Sequence, residues 1–226
     1  MICNIKRRAS ASSAKPIFAD NEWADIIAAC QMGSVPETWV VGDSKFMTIG
    51  GTSYQVDIIG KNHDTYTAGG TAPLTFQLHY VYETEYAMGF SNGGWTNCAM
   101  RQTHLPTILS QMPTEVQNGI REVNKLTVVD NYSSTINTTA DKLFLLSEVE
   151  IFGSVSYSKS GEGTQYDYYK AGNSKAKENV DGEPRDWWER SLENTIATAF
   201  CFVDINGSAD YDIADKALSV AFGFCF

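Results

Sequence analysis

Two short apolar runs meet at Gly50-Gly51: Phe46, Met47 and Ile49 lie on one side, Tyr54, Val56, Ile58 and Ile59 on the other. A glycine pair supplies the positive φ that a tight two-residue connection needs. The stretch therefore predicts a β-hairpin and commits this part of the chain to antiparallel pairing. Just upstream the period changes. Trp23, Ile26, Ile27 and Cys30 recur at helical spacing, with Asp20 or Asn21 as the expected N-cap and Gly33 as the stop.

Downstream the pattern stays short-ranged. Residues 61–72 read as a polar, glycine-rich loop and 74–82 as a strand. Residues 95–112 read as a helix that Pro106 breaks or kinks. PTEVQNGIREVNKLTVV reads as a short helix running into a strand, and LFLLSEVEIFG, from Leu143, as a strand interrupted at Ser147-Glu148. Residues 153–185, poor in aliphatics, read as a long surface insertion. Two strand-like runs follow, 199–205 and 218–226, with a polar, Asp-rich loop between them. The expected class is α+β, with short helices packed around small mixed or antiparallel sheets and long loops. One domain over 19–226 is expected, preceded by a flexible arm, 1–18.

Composition narrows the function. The net charge of -10 opposes non-specific nucleic-acid binding. No apolar run reaches the roughly eighteen residues of a membrane span, so no membrane insertion is expected. Lys6, Arg7 and Arg8 are not followed by an apolar run, so no signal peptide is read. Cys3, Cys30, Cys98, Cys201 and Cys225 are scattered, odd in number and free of metal-ligand spacing; they read as buried free thiols made in a reducing cytoplasm. There is no GxGxxG after a strand, no P-loop and no HExxH, and His63, His79 and His104 show no ligand spacing, so no catalytic residue, cofactor or metal is assigned. On a strand His63-Asp64 would be poorly built as a base and its orienter, because neighbours face opposite ways; in a loop the pairing stays open. Asp204, Asn206, Asp210 and Asp212 lack the glycine position and closing glutamate of an EF-hand; a solvated acidic loop is favoured over another kind of calcium site. Trp187-Trp188 reads as a core anchor in preference to a carbohydrate platform.

The tail is chemically odd. From Asn194 to Asp215 there is no Lys, Glu, Gln, Met or Trp. A solubility surface would carry Lys or Glu, and a strand would alternate more regularly. The absent types are those unreachable from an AAC or AAT codon when only its adenines change. Glu193 and Lys216, just outside, are also unreachable.

WWERS at 187–191, FCFVDINGSAD from Phe200 and the ending VAFGFCF resemble the variable region of diversity-generating retroelement target proteins. VDIIGKNHDTY from Val56, LTFQL, GGWTNCAMR and LFLLSEVEIFG are similar to phage and gut-bacterial proteins of the same kind. Leu192 stands where that family often has Pro, and VAFGF replaces its RPAF-like strand. The resemblance implies a C-type-lectin fold of the formylglycine-generating-enzyme-like subclass. It also implies a C-terminal segment, 187–226, rewritten at adenines by a reverse transcriptase.

The function so implied is ligand recognition on a phage tail or a cell surface, the ligand being a protein or a glycan on a host or target cell. A homo-oligomer is compatible with it. Random substitution is tolerable only at exposed positions on a rigid frame. Trp187, Trp188, Arg190, Gly207 and Phe222 are expected in that frame, with Phe200, Val203, Ala209, Ala214, Val220 and Phe224. The expected binding face comprises Leu192, Asn194, Ile196, Thr198, Phe202, Asp204, Ile205, Ser208, Asp210, Tyr211, Asp212, Ile213, Asp215 and Leu218. Phe202 and Tyr211 are its expected hot spots. A non-diversified virion or display component is the alternative. A formylglycine-type enzyme would need a cysteine-bound copper, for which Cys201 and Cys225 are the only C-terminal candidates.

Overall fold

A computed structural model describes residues 14–89, 93–130 and 132–226, and it is an α+β structure. Helix α1 (Trp23–Gln31) is followed by β1 (Ser44–Ile49), β2 (Thr52–Lys61), β3 (Leu74–Leu78) and β4 (Tyr82–Ala87). Helices α2 (Leu105–Gln111) and α3 (Thr114–Gly119) precede β5 (Val123–Val128), β6 (Ile136–Asp141) and β7 (Leu143–Phe144). Next come α4 (Glu148–Phe152), α5 (Asp167–Lys170), β8 (Lys177–Glu178) and β9 (Pro184–Arg185). The chain ends with β10 (Trp187–Leu192), β11 (Ala199–Val203), β12 (Ala209–Ile213), β13 (Ala217–Val220) and β14 (Gly223–Cys225).

Two five-stranded sheets carry the fold, ordered β1-β2-β3-β14-β7 and β12-β11-β10-β13-β4. The first is antiparallel throughout, and its β1–β2 hairpin turns at Gly50 and Gly51 with φ of 59° and 97°, the values the glycine pair predicts. The second is mixed, because β10 and β13 run parallel. An aromatic cluster fills the space between α1 and the first sheet. Trp23 meets Phe226 at 5.9 Å, and Phe76 stacks on Phe224 at 5.2 Å.

Several expected boundaries move. Residues 1–13 of the arm lie outside the described residues, but 14–18 are docked and not free. Phe18 is buried, Trp39 Nε1 donates to the Lys15 carbonyl at 2.9 Å, and Asn21 Nδ2 holds the Ile17 carbonyl at 2.7 Å. Asn21 being spent on that contact, Glu22 caps α1 in a reciprocal box with Asp25. The expected helix over 95–112 is three pieces: a 3₁₀ turn at Gly94–Thr96, a π-helical turn at Met100–His104, and α2. Pro106 sits in the first turn of α2, where its missing N–H costs nothing.

The polar break in LFLLSEVEIFG is a helix start. Ser147 Oγ accepts from the Glu150 N–H at 3.3 Å, and the Glu150 carboxylate accepts from the Ser147 N–H at 3.1 Å, which begins α4. The run 74–82 divides between β3 and β4, in different sheets. The run 218–226 divides between β13 and β14, so the last residues tie the two sheets together. Residues 153–185 are no mere surface insertion either: Tyr166, Tyr169, Glu162 and Lys177 from it are buried.

Candidate functional site

Strand β10 is the central strand of the second sheet and carries the frame. Trp187 and Trp188 are fully buried, and their Nε1 atoms donate to the carbonyls of Lys175 at 3.0 Å and Tyr86 at 2.9 Å. Neither ring has an open face on which a sugar could stack. Phe222 is likewise buried.

Arg190 explains why a charge is tolerated beside them. Its guanidinium is fully buried and forks onto the Glu150 carboxylate. It also donates to the carbonyls of Leu145 (2.9 Å), Leu126 (3.1 Å) and Glu162 (2.6 Å). The cluster extends through Lys125, whose Nζ reaches Glu150 at 2.7 Å, Asp64 at 2.8 Å and the Tyr166 hydroxyl at 3.0 Å. Burial alone would raise the Asp64 carboxyl; Lys125, the Thr75 hydroxyl and His63 together outweigh it and hold it at about 2. Against the same opposition, Arg190 and Lys125 keep Glu150 below its ordinary range.

Glu189 is different. Both its carboxyl oxygens are buried with no hydrogen-bond partner among the described residues. Burial, reinforced by Glu148 and Glu162, pushes its pKa well above the ordinary glutamate value, so the folded chain holds it as the neutral acid. A raised folded-state pKa stabilises the fold below the unfolded value of about 4.3, and that contribution is lost as pH rises toward the folded value. The Glu189→Gln variant, which mimics the neutral acid, is expected to gain stability relative to the parent chain as pH is raised from 4 to 8. Urea unfolding at several pH values measures the difference, and a difference independent of pH contradicts a neutral Glu189.

The β11–β12 hairpin projects from this frame at the sheet edge. Asp204 shapes its turn, its Oδ1 accepting from the N–H groups of Asn206 at 2.8 Å and Ser208 at 2.7 Å. Gly207 completes it at φ 81°, where a Cβ would lie 2.8 Å from the Ala176 nitrogen. The segment expected to be an Asp-rich loop is thus partly strand β12, paired with β11 from Ala199↔Ile213 to Val203↔Ala209.

Most of the expected face is open to solvent. Ile205 is 49% exposed, Tyr211 37% and Ile213 55%. Ile196, Thr198, Ser208, Asp210 and Asp215 are exposed, and Asn194, Asp204 and Asp212 are half-buried. Three residues do not belong there: Leu192, Phe202 and Leu218 are 6%, 5% and 5% exposed. Leu192 closes on Gly94, where an added Cβ would meet its Cδ1 at 2.5 Å. Phe202 packs edge-on against Trp188 at 6.1 Å, under the Lys216 ammonium. Leu218 is opposite Tyr86 in the β13–β4 ladder. Phe202 therefore packs as part of the frame; Tyr211, the other expected hot spot, is exposed and tilted against Tyr157 at 5.1 Å.

The edge itself is guarded. Asp210 Oδ1 accepts the Tyr211 N–H and Asp212 Oδ1 the Ile213 N–H, each at 2.8 Å. Two amides of the edge strand are therefore spent locally and not offered to another strand. The acidic positions do not converge, and among the described residues no group of three or more His, Cys, Asp or Glu could hold a metal.

The remaining sequence candidates are dispersed. His63 stacks on Tyr166 at 4.0 Å while its neighbour Asp64 is buried in the Lys125 cluster. His104 stacks on Tyr86 at 4.3 Å. Cys30, Cys98, Cys201 and Cys225 are buried and free; Cys3 lies outside the described residues. Cys201 and Cys225 sit in different sheets, and burial pushes both thiols well up. Sequence reasoning missed the pairing of Asp57 with His79 (2.6 Å) and the burial of Lys177, since these groups are distant in the chain and no short motif joins them.

Residues 67–222 match the model of a family described as "Domain of unknown function (DUF6273)". No curated protein and no solved structure matches the chain.

Proposed function

We propose, from the premise that this chain belongs to the DUF6273 family of domains of unknown function, that it is a ligand-binding protein whose C-terminal face is diversified. In this reading it is a variable protein of a diversity-generating retroelement, with a C-type-lectin fold, displayed on a phage tail or a cell surface. Its ligand is a protein or glycan of a host or target cell.

One observation carries the reading. Every residue of 194–215 is of a type that adenine-directed change can reach, and its exposed side chains, Ile196, Thr198, Ile205, Ser208, Asp210, Tyr211, Ile213 and Asp215 among them, gather around an edge hairpin over the fully buried Trp187, Trp188 and Arg190. Such a division lets side chains change without loss of the fold. Tyr211 and the exposed isoleucines provide apolar area at low entropic cost, and the aspartates provide hydrogen-bond acceptors.

Exchanging Ile205, Asp210, Tyr211 and Ile213 together for Ser, Asn, His and Thr is expected to lower Tm by no more than about 4 °C, since surface changes cost little singly. The same exchange is expected to abolish or redirect binding in an array of cell-surface proteins and glycans. A collapse of Tm, or unchanged binding, contradicts the proposal. An independent check is the neighbouring DNA, where a reverse-transcriptase gene and a near-copy of the segment encoding 187–226, differing only at adenines, are expected.

A further inference from the structure

Among the described residues, Lys177 is a buried lysine without a carboxylate partner. It begins β8, and its side chain is buried against the Trp187 ring, 5.6 Å from the centroid. Its Nζ lies 2.6 Å from the Leu78 carbonyl and 3.0 Å from the His79 carbonyl. Among the described residues no carboxylate stands within ion-pair distance of it. An ammonium has three hydrogens: two meet these carbonyls, and the third has only the face of the Trp187 ring. The neutral amine has two, which match the two carbonyls, and it keeps its lone pair. Burial acts in the same direction and brings the amine down to about 8, although Asp57 opposes the shift.

Lys177 is in the wall of a cleft of about 290 Å³, bordered also by His79, Tyr80, Tyr168 and Ile205. Behind the cleft, the buried Asp57 carboxylate holds His79 Nδ1 at 2.6 Å and accepts from the Tyr168 hydroxyl at 3.4 Å. The two tyrosines, Pro184 and Ile205 supply apolar surface beside the polar Ser174 and Glu178, a mixed lining that suits a small polar organic molecule.

We propose that Lys177 is a nucleophilic amine that captures a small aldehyde from this cleft as an imine. The nitrogen lone pair forms the C–N bond while the carbonyl π pair moves to oxygen, which takes a proton. The resulting hydroxyl then leaves as the C=N bond closes. Both amine protons depart with the carbonyl oxygen as water, and nothing is oxidised or reduced. The inference stands apart from the reading of the C-terminal face, although Ile205 would restrict the size of aldehyde admitted.

Reductive labelling of the full folded chain with limiting glycolaldehyde and cyanoborohydride, followed by peptide mapping, tests the assignment. At pH 7 Lys177 is expected to be labelled about tenfold faster than the exposed Lys142 and Lys170. That preference is expected to shrink toward pH 9 as the exposed lysines deprotonate, and to vanish in urea. Among the titratable groups around it, Asp57 from β2 acts on the amine, and His79, Tyr80, Tyr168 and Glu178 line the same cleft. Lys177→Arg, which keeps donors for both carbonyls, is expected to lose the fast label with an unchanged circular dichroism spectrum. Labelling of Lys177 no faster than that of Lys142 and Lys170 in the parent chain overturns the proposal, whatever the variant does.

Discussion

Replacing Arg190 by Met is expected to cost about 3–5 kcal/mol of unfolding free energy, the usual result of removing one partner of a buried ion pair. The guanidinium neutralises Glu150 and also satisfies the carbonyls of Leu145, Leu126 and Glu162. Methionine fills much of the volume but offers no donor. Glu150 would keep Lys125, and it would lose its two-point partner. Arg190→Lys is expected to recover little, since one ammonium cannot reach acceptors spread around a planar fork. Chemical unfolding at neutral pH gives the number directly. A loss below about 1 kcal/mol for the Met variant would show that the network is not what holds β10 to α4.

Trp188→Ala is expected to be nearly as damaging, at about 3–5 kcal/mol. The indole is fully buried and supports Phe202 from beneath. Its removal leaves a cavity under the β11–β12 hairpin and takes the Nε1 donor from the Tyr86 carbonyl. The comparison with Tyr211→Ala, two strands away at the edge, is the informative one. That change removes a single aromatic contact with Tyr157, worth about 0.5–1.5 kcal/mol. If the two variants lost equal stability, the separation of an inert frame from a replaceable face would fail on energetic grounds.

The geometry also limits how the face could engage a partner. Because Asp210 and Asp212 occupy two edge amides, recognition through side chains is favoured over addition of a partner strand. Ile196, Ile205, Tyr211 and Ile213 expose apolar area among aspartates, a mixture suited to an adaptable epitope.

How much of this was legible beforehand varies with the range of the cause. The Gly50-Gly51 hairpin, α1 and the burial of the tryptophan pair were readable because a few neighbouring residues determine each of them. The helix start at Ser147 was also readable, since Ser and Glu three apart form a capping box, yet the apolar residues on either side disguised it as strand. Strand β12 was not readable by alternation: it lies at a sheet edge, and its side chains meet solvent on both faces. Phe202 was hidden for a different reason: in the inner strand β11 its composition matches its exposed neighbours, while its register places it over Trp188.

By itself the amino-acid order determined the local turns, the first helix, the mixed class of secondary structure and the unusual chemistry of the tail. Only the tertiary structure decided which tail residues face water, because that depends on where β12 sits in its sheet. It alone brought Asp64, Lys125, Glu150 and Arg190 into one buried cluster and set Lys177 between two carbonyls. Those groups are distant along the chain, and the free energy of burying them depends on partners that no local pattern names.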